Sequence, residues 1–241
     1  MDALIQKLEG YENQALEMQR NLLYRLGVRN EEQDLIESEI QQLMEEFGAE
    51  EYNIPSEFVD QVRRFIRQYQ GENRPLMERA LWRAHKQLEA ARQQLRNDNL
   101  PPDLAYMVLV ESAFIAGSSS TAGAAGLWQF TAETARAYGL KVSSGMDERL
   151  DPRKSTQAAG RYIRDLILDF GSGSSVMLAL AAYNLGPGKV KRAVRTVSDP
   201  IKQRNFWYLY RARALPKETR QYIPKTIAAI IIGRNPERFG F

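Results

Sequence analysis

Apolar positions recur along this chain at steps of three and four far more than at steps of two, and that spacing predicts helices. Leu4, Leu8, Tyr11, Ala15, Met18 and Leu22 form one stripe; after the turn signal Gly27-Val28-Arg29-Asn30, Ile36, Ile40, Leu43 and Phe47 form a second in an acidic stretch. Each is too short for a self-standing coiled coil, so an antiparallel hairpin is expected over residues 1–50, followed by a linker at 48–55. Phe58, Val62, Phe65 and Ile66 continue the helical pattern from Ser56. A long polar helix is expected over 75–97, and further helices over 154–170, 176–184, 188–197 and 217–232, separated by Gly, Ser and Pro.

The run 104–110 is ambiguous by periodicity alone. Pro101, Pro102 and Asp103 stand just before it and suit a helix N-terminus, which favours helix over strand. Thr131-Ala132-Glu133-Thr134 has capping-box character only if Thr131 is the cap, since its fourth member is Thr134 rather than Glu. No convincing strand pair appears, so the fold class is all-α, with a short β-ribbon near 141–150 left open.

The 241 residues are 44% hydrophobic, enough for one large domain with a smaller attachment. The absence of cysteine excludes disulfides, thiolate metal sites and a cysteine nucleophile. The single histidine, His85, lies in a charged stretch, reads as a surface helix residue, and argues against a His-rich metal site or a Ser-His-Asp relay. No cofactor or metal is expected. The net charge of +3 comes from Lys and Arg interspersed with Asp and Glu, which is not a nucleic-acid footprint. The densest basic run, Lys189 to Arg195, reads as a solvated helix face. No window reaches the roughly 18 apolar residues of a membrane span, and the N-terminus lacks the pattern of a signal peptide.

One carboxylate is placed differently from the others. Leu104, Met107 and Val108 precede Glu111 by seven, four and three residues, so on a helix they share its stripe. Burial there raises a glutamate pKa toward the range in which it can donate a proton near neutral pH, which suits a general acid. Three further clusters put polar side chains beside glycine turns or helix ends: Gly126-Leu127-Trp128-Gln129, Ala182-Tyr183-Asn184-Leu185-Gly186, and Thr219-Arg220-Gln221-Tyr222-Ile223-Pro224, whose proline is expected to disturb its helix. Trp128 and Tyr138 are candidate sugar-stacking platforms with core packing as the alternative; packing is favoured for Phe206 and Trp207. Asp151, before Pro152, is expected to cap a helix, and Glu133 to sit in a first helical turn.

In this order and spacing, Leu104-Ala105-Tyr106 leading into Glu111-Ser112-Ala113-Phe114, then Ala124-Ala125-Gly126-Leu127-Trp128-Gln129, Tyr138-Gly139-Leu140, Ala182-Tyr183-Asn184 and Glu218 to Lys225 resemble the lysozyme-like lytic transglycosylases, nearest the membrane-bound D type. The resemblance runs from about Ser56 to the C-terminus. It implies a goat-type lysozyme-like helical domain at 51–241, preceded by the hairpin or accessory region at 1–50, that cleaves the β-1,4 bond between N-acetylmuramic acid (MurNAc) and N-acetylglucosamine (GlcNAc) in peptidoglycan. Glu111 would be acid and then base, leaving 1,6-anhydro-MurNAc ends. Ser112 would contact or orient the substrate, Gln129 would hydrogen-bond sugar or N-acetyl groups, Tyr183 and Asn184 would line the cleft, and Tyr222 would hydrogen-bond Glu111. Gly126 would let the glycan approach the backbone.

The implied partner is the peptidoglycan glycan strand, in the bacterial envelope (periplasmic, membrane-associated or secreted), with no export signal in this chain. The hairpin's candidate roles are capping the catalytic domain, self-association or binding a protein partner. Two departures stand out: Ile115-Ala116-Gly117 replaces the usual Asn-Pro or Asp-Pro turn, and no LysM-like repeat is recognisable. A hydrolytic muramidase of the same fold and a non-catalytic peptidoglycan-binding or assembly module are the alternatives.

Overall fold

The helical spacing becomes eleven helices in the computed structural model, which describes residues 31–48, 54–170, 175–198 and 204–241 together with Met18. They are α1 (Glu31–Glu46), α2 (Ser56–Gln70), α3 (Arg74–Ala84), α4 (Leu88–Asn97), α5 (Met107–Glu111), α6 (Ala132–Ala137), α7 (Pro152–Phe170), α8 (Ser175–Leu185), α9 (Pro187–Arg195), α10 (Phe206–Arg211) and α11 (Lys217–Arg234). The one ribbon among the described residues pairs β1 (Val142–Ser143) with β2 (Met146–Asp147), antiparallel, within the stretch that the sequence left open. The all-α reading therefore holds. Ile36, Ile40, Leu43 and Phe47 are buried on or just after α1. The first stripe and the turn of the expected hairpin, apart from Met18, lie outside the described residues.

The chain divides into two compact units, the second running from Gln42 to Phe241 and holding all the candidate chemistry. Its centre is α11. Ile223, Ile227, Ala228, Ala229, Ile230, Ile231 and Ile232 are all removed from solvent, and a stretch buried round two full turns, as 226–232 is, belongs in a core. It packs against α2, α5 and α8, while α8 also packs on α7 and α9. Burying each isoleucine contributes about 1.5–3 kcal/mol. Helix α11 continues through Pro224; the proline removes one backbone donor, and the buried residues around it hold the helix.

Two other boundaries differ from expectation. The polar helix at 75–97 is broken at residues 85–87 by tightened turns, Lys86 N–H to Arg83 C=O and Gln87 N–H to Ala84 C=O, without a glycine or proline to announce the break. The run at 104–110 is divided between a 3-10 turn (Pro102–Tyr106) and α5. Helix α10, not expected from the sequence, is capped by Asn205, whose side chain accepts from Tyr208 N–H at 2.8 Å. It packs Trp207 and Tyr210 edge-on to Phe58 of α2, at centroid distances of 5.0 and 5.5 Å. Asp103 on the 3-10 turn pairs with Arg92 of α4 at 3.0 Å and with Arg234 of α11 at 3.3 Å, tying these elements together. No helix among the described residues is long and apolar enough to cross a membrane.

Candidate active site

Leu104, Met107 and Val108 are buried as their spacing requires, and they leave Glu111 as the last residue of α5. The chain then turns sharply. Ala113 and Phe114 both have left-handed backbones, φ 51° and 56°, each costing about 1–2 kcal/mol for a residue with a Cβ. Two contacts hold them there: the Phe114 ring is buried, and the Arg83 guanidinium donates to the Ala113 carbonyl at 3.0 Å.

Glu111 is half-buried in this bend, and its Oε1 accepts from the Tyr222 hydroxyl of α11 at 2.5 Å. Burial pushes the Glu111 pKa up to about 7, against the opposing pull of the Tyr222 hydrogen bond and of the Lys225 ammonium. Burial also lifts the Tyr222 hydroxyl well above its usual range, so it remains protonated and donates to the carboxylate. A carboxyl near half-protonation at neutral pH with a fixed donor at one oxygen can both give and take a proton.

Facing it is the loop 118–130, joined to itself by bridges of Ala125 with Ser119 and with Phe130. The side chains that shape it donate to its carbonyls. Ser112 Oγ donates to Leu127 C=O at 2.9 Å and Tyr183 Oη to Trp128 C=O at 2.6 Å. Gln129, left-handed at φ 48°, returns its amide NH2 to Gly126 C=O at 2.9 Å. Its Oε1 accepts no hydrogen bond among the described residues. Asn184 Oδ1 accepts from the Thr219 hydroxyl at 2.9 Å, linking the end of α8 to the start of α11. Glu111, Ser112, Tyr183 and Tyr222 are thus connected across four chain segments, and Asn184 adjoins Tyr183 on α8.

One expectation is corrected. Trp128 is fully buried and its indole N–H donates to Thr156 Oγ1 at 3.0 Å, which makes it a core residue of the loop's rear wall rather than a sugar-stacking surface. Gly126, at φ 81°, is required by packing: a Cβ there would lie 1.8 Å from the Arg149 carbonyl oxygen.

Arg149 was not among the sequence candidates. Its buried guanidinium donates Nη1 to the carbonyls of Gly123 (2.8 Å) and Phe130 (2.9 Å) while Nε and Nη2 grip Asp147, so it ties the middle of the loop to its end. Written Asp-Glu-Arg-Leu-Asp, it looks like one more solvated charge.

The neighbouring carboxylates are committed elsewhere. Asp147 pairs with Arg149 and Glu148 with Lys154, while Asp151 caps α7 by accepting from the N–H groups of Arg153 and Lys154, both at 2.9 Å. Glu133 is exposed in the first turn of α6, as expected.

Residues 89–206 match the transglycosylase SLT domain family. The chain is 40% identical over 147 residues to membrane-bound lytic murein transglycosylase D of Escherichia coli strain K12, covering 61% of this chain and 31% of that protein. It is also 40% identical over 81 residues to peptidoglycan transglycosylase gp16 of Escherichia phage T7, covering 33% of this chain and 6% of that protein. A solved structure, lytic transglycosylase Slt of Pseudomonas aeruginosa, superposes with a TM-score of 0.49 at 24% identity, over 64% of this chain and 24% of that one. The chain therefore spans about a third of the length of the transglycosylase D relative.

Proposed function

We propose that this protein, whose residues 89–206 match the transglycosylase SLT domain family, is a peptidoglycan lytic transglycosylase cleaving the β-1,4 bond between MurNAc and GlcNAc without water. The observation that carries the reading is the Glu111 carboxyl, raised to about 7 and held by the Tyr222 hydroxyl, with the carboxylates that follow the loop engaged in structural pairs and caps. A single carboxyl in this state suits a reaction in which one group is acid and then base.

Protonated Glu111 gives its proton to O4 of GlcNAc as the C1–O4 bond breaks and positive charge develops at C1 of MurNAc. The glutamate so formed then takes the proton of the MurNAc 6-hydroxyl as O6 bonds to C1. Glu111 ends as it began, and no water is consumed. The tethered hydroxyl replaces water through its high effective concentration. The inverting and retaining glycosidases that work with two carboxyl groups need the second for a water or a covalent intermediate, and neither is required here.

In this reading Gln129 Oε1 is the acceptor for a sugar hydroxyl or N-acetyl N–H, and Asn184 is assigned to the wall of the substrate cleft. Ser112 and Tyr183 act through the loop they hold. The catalytic domain is assigned to 51–241 and an accessory role, including contact with a partner or a second copy, to 1–50. With murein as substrate the protein would work in the bacterial cell envelope, a reading supported by its likeness to a membrane-bound lytic murein transglycosylase.

The test is mass spectrometry of soluble muropeptides released from purified peptidoglycan by the wild type and by Glu111→Gln. Products ending in 1,6-anhydro-MurNAc, absent with the variant, are expected. Hydrated reducing ends would make the protein a muramidase, and no release by the wild type would leave a binding module.

A further inference from the structure

A cavity of about 270 Å³ lies behind the loop 118–130, between α4 and the first two turns of α7. Ala91, Leu127 and Thr156 form its buried floor, and the exposed residues Lys86, Ala90 and Arg153 stand at its mouth. The floor is continuous with the loop, since Leu127 C=O accepts from Ser112 and Thr156 Oγ1 accepts from the Trp128 indole. Two cations and no carboxylate line the space. The Lys86 ammonium rests over the Trp82 ring, 5.5 Å from its centroid, a contact that leaves its charge unneutralised. The Arg153 guanidinium has no ion-pair partner among the described residues. Gln94 commits its amide to Asp98 at 2.9 Å, whereas Gln87, which also lines the cavity, holds its Oε1 out of water with no donor against it. A donor on an occupant would relieve that loss.

We propose that this cavity binds the C-terminal end of a short peptide of small aliphatic residues. Its carboxylate meets Lys86 and Arg153 at the mouth, a methyl-sized side chain enters the floor between Ala91 and Leu127, and a peptide N–H serves Gln87. The charge at the mouth selects an anion. The alkyl floor disfavours a bare anion such as phosphate, which would lose hydration there without return. The volume falls just below the range of about 300–1,000 Å³ that encloses drug-sized ligands, which suits a dipeptide end rather than a glycan strand. Such peptides occur free and as branches of murein. The choice between those sources rests on the transglycosylase reading; the site itself does not.

The experiment is a ¹H–¹⁵N NMR titration of the full chain with N-acetyl-alanyl-alanine and with its C-terminal amide, repeated on Lys86→Met and Arg153→Met. Both side chains are exposed, so neither change removes a core contact. Saturable shifts with a Kd of about 1 mM are expected for the free acid at Leu127, at Thr156 and at the Trp128 indole N–H. Binding should weaken about 5-fold or more for the amide and in each Met variant. Equal binding of acid and amide, undiminished binding in both variants, or shifts that fail to saturate by about 20 mM overturn the site. Soluble muropeptides added to Glu111→Gln identify the source: displacement of the dipeptide makes the murein branch the ligand, and no displacement leaves the free peptide. Dipeptide binding by a wild type that releases no muropeptide supports the site and sinks the transglycosylase reading instead.

Discussion

The Tyr222 hydroxyl and the Glu111 carboxyl, 111 positions apart in the chain, meet at 2.5 Å where the first turns of α11 pass the end of α5. The bond stabilises the ionised form of a group that burial pushes toward the neutral one. Removing it by Tyr222→Phe should raise the pH at which Glu111 titrates and weaken its grip as a donor. Muropeptide release is expected to fall about 10-fold below neutral pH, the worth of one charge-assisted hydrogen bond, with the upper limb moved to higher pH. A variant with unchanged rate and limb would show that the hydroxyl is a bystander.

Stability should carry the same signature. The Glu111 pKa is about 7 in the folded protein against 4.5 ordinarily, so between those values the native state binds more protons than the unfolded one. Stability from this group is therefore lost as pH rises from about 4.5 to about 7, and remains reduced above. Glu111→Gln removes the charge. Urea unfolding should find its advantage over wild type larger at pH 8 than at pH 4.5 by about 1–3 kcal/mol, allowing for the partial exposure of the carboxyl. An equal difference at both pH values would mean that the carboxyl is not strained by burial.

Gly123 and Gly126 have nearly the same backbone, φ 80° and 81°, in different surroundings: nothing lies within 4 Å of a Cβ at Gly123, while at Gly126 the Arg149 carbonyl is in the way. Gly123→Ala should cost about 1 kcal/mol, the backbone strain alone. Gly126→Ala should cost about 2–4 kcal/mol because a backbone segment must also move. Thermal denaturation of the two proteins separates strain from collision, and equal losses would refute the close packing.

Trp128→Phe tests which side of the loop the indole serves. Losing the Thr156 hydrogen bond and part of a buried ring should cost about 1–3 kcal/mol of stability. KM for peptidoglycan fragments should stay within about twofold of wild type, as expected of a ring with no exposed surface. A tenfold rise in KM with little loss of stability would return Trp128 to the sugar-binding surface.

These residues also show what could be read from the chain in advance. Glu111 was legible because its stripe is local: burial of Leu104, Met107 and Val108 follows from helical spacing over a few residues. The rear position of Trp128 was not, since a tryptophan beside a glutamine in a glycine-rich loop suits either face, and the decision is made by Thr156, 28 residues away. Arg149 was invisible for a related reason. Its run of charges resembles a solvated surface, and only the distant carbonyls of Gly123 and Phe130 make burial of a guanidinium favourable. Helix α10 escaped because four of its first five side chains are buried, which erases the alternation of apolar and polar positions that marks an amphipathic helix.

The loop 118–130 is gripped at its main-chain oxygens: Ser112 takes hold at residue 127, Tyr183 at 128, and Arg149 at 123 and 130. A carbonyl is the same atom whatever residue carries it. Side chains at exposed positions such as Ser119, Thr121 and Ala122 are consequently spectators to the shape they sit on, and the information that specifies the loop is written mostly elsewhere in the chain. A designer seeking new glycan preferences has free letters at those tips, provided that the three distant donors keep their spelling.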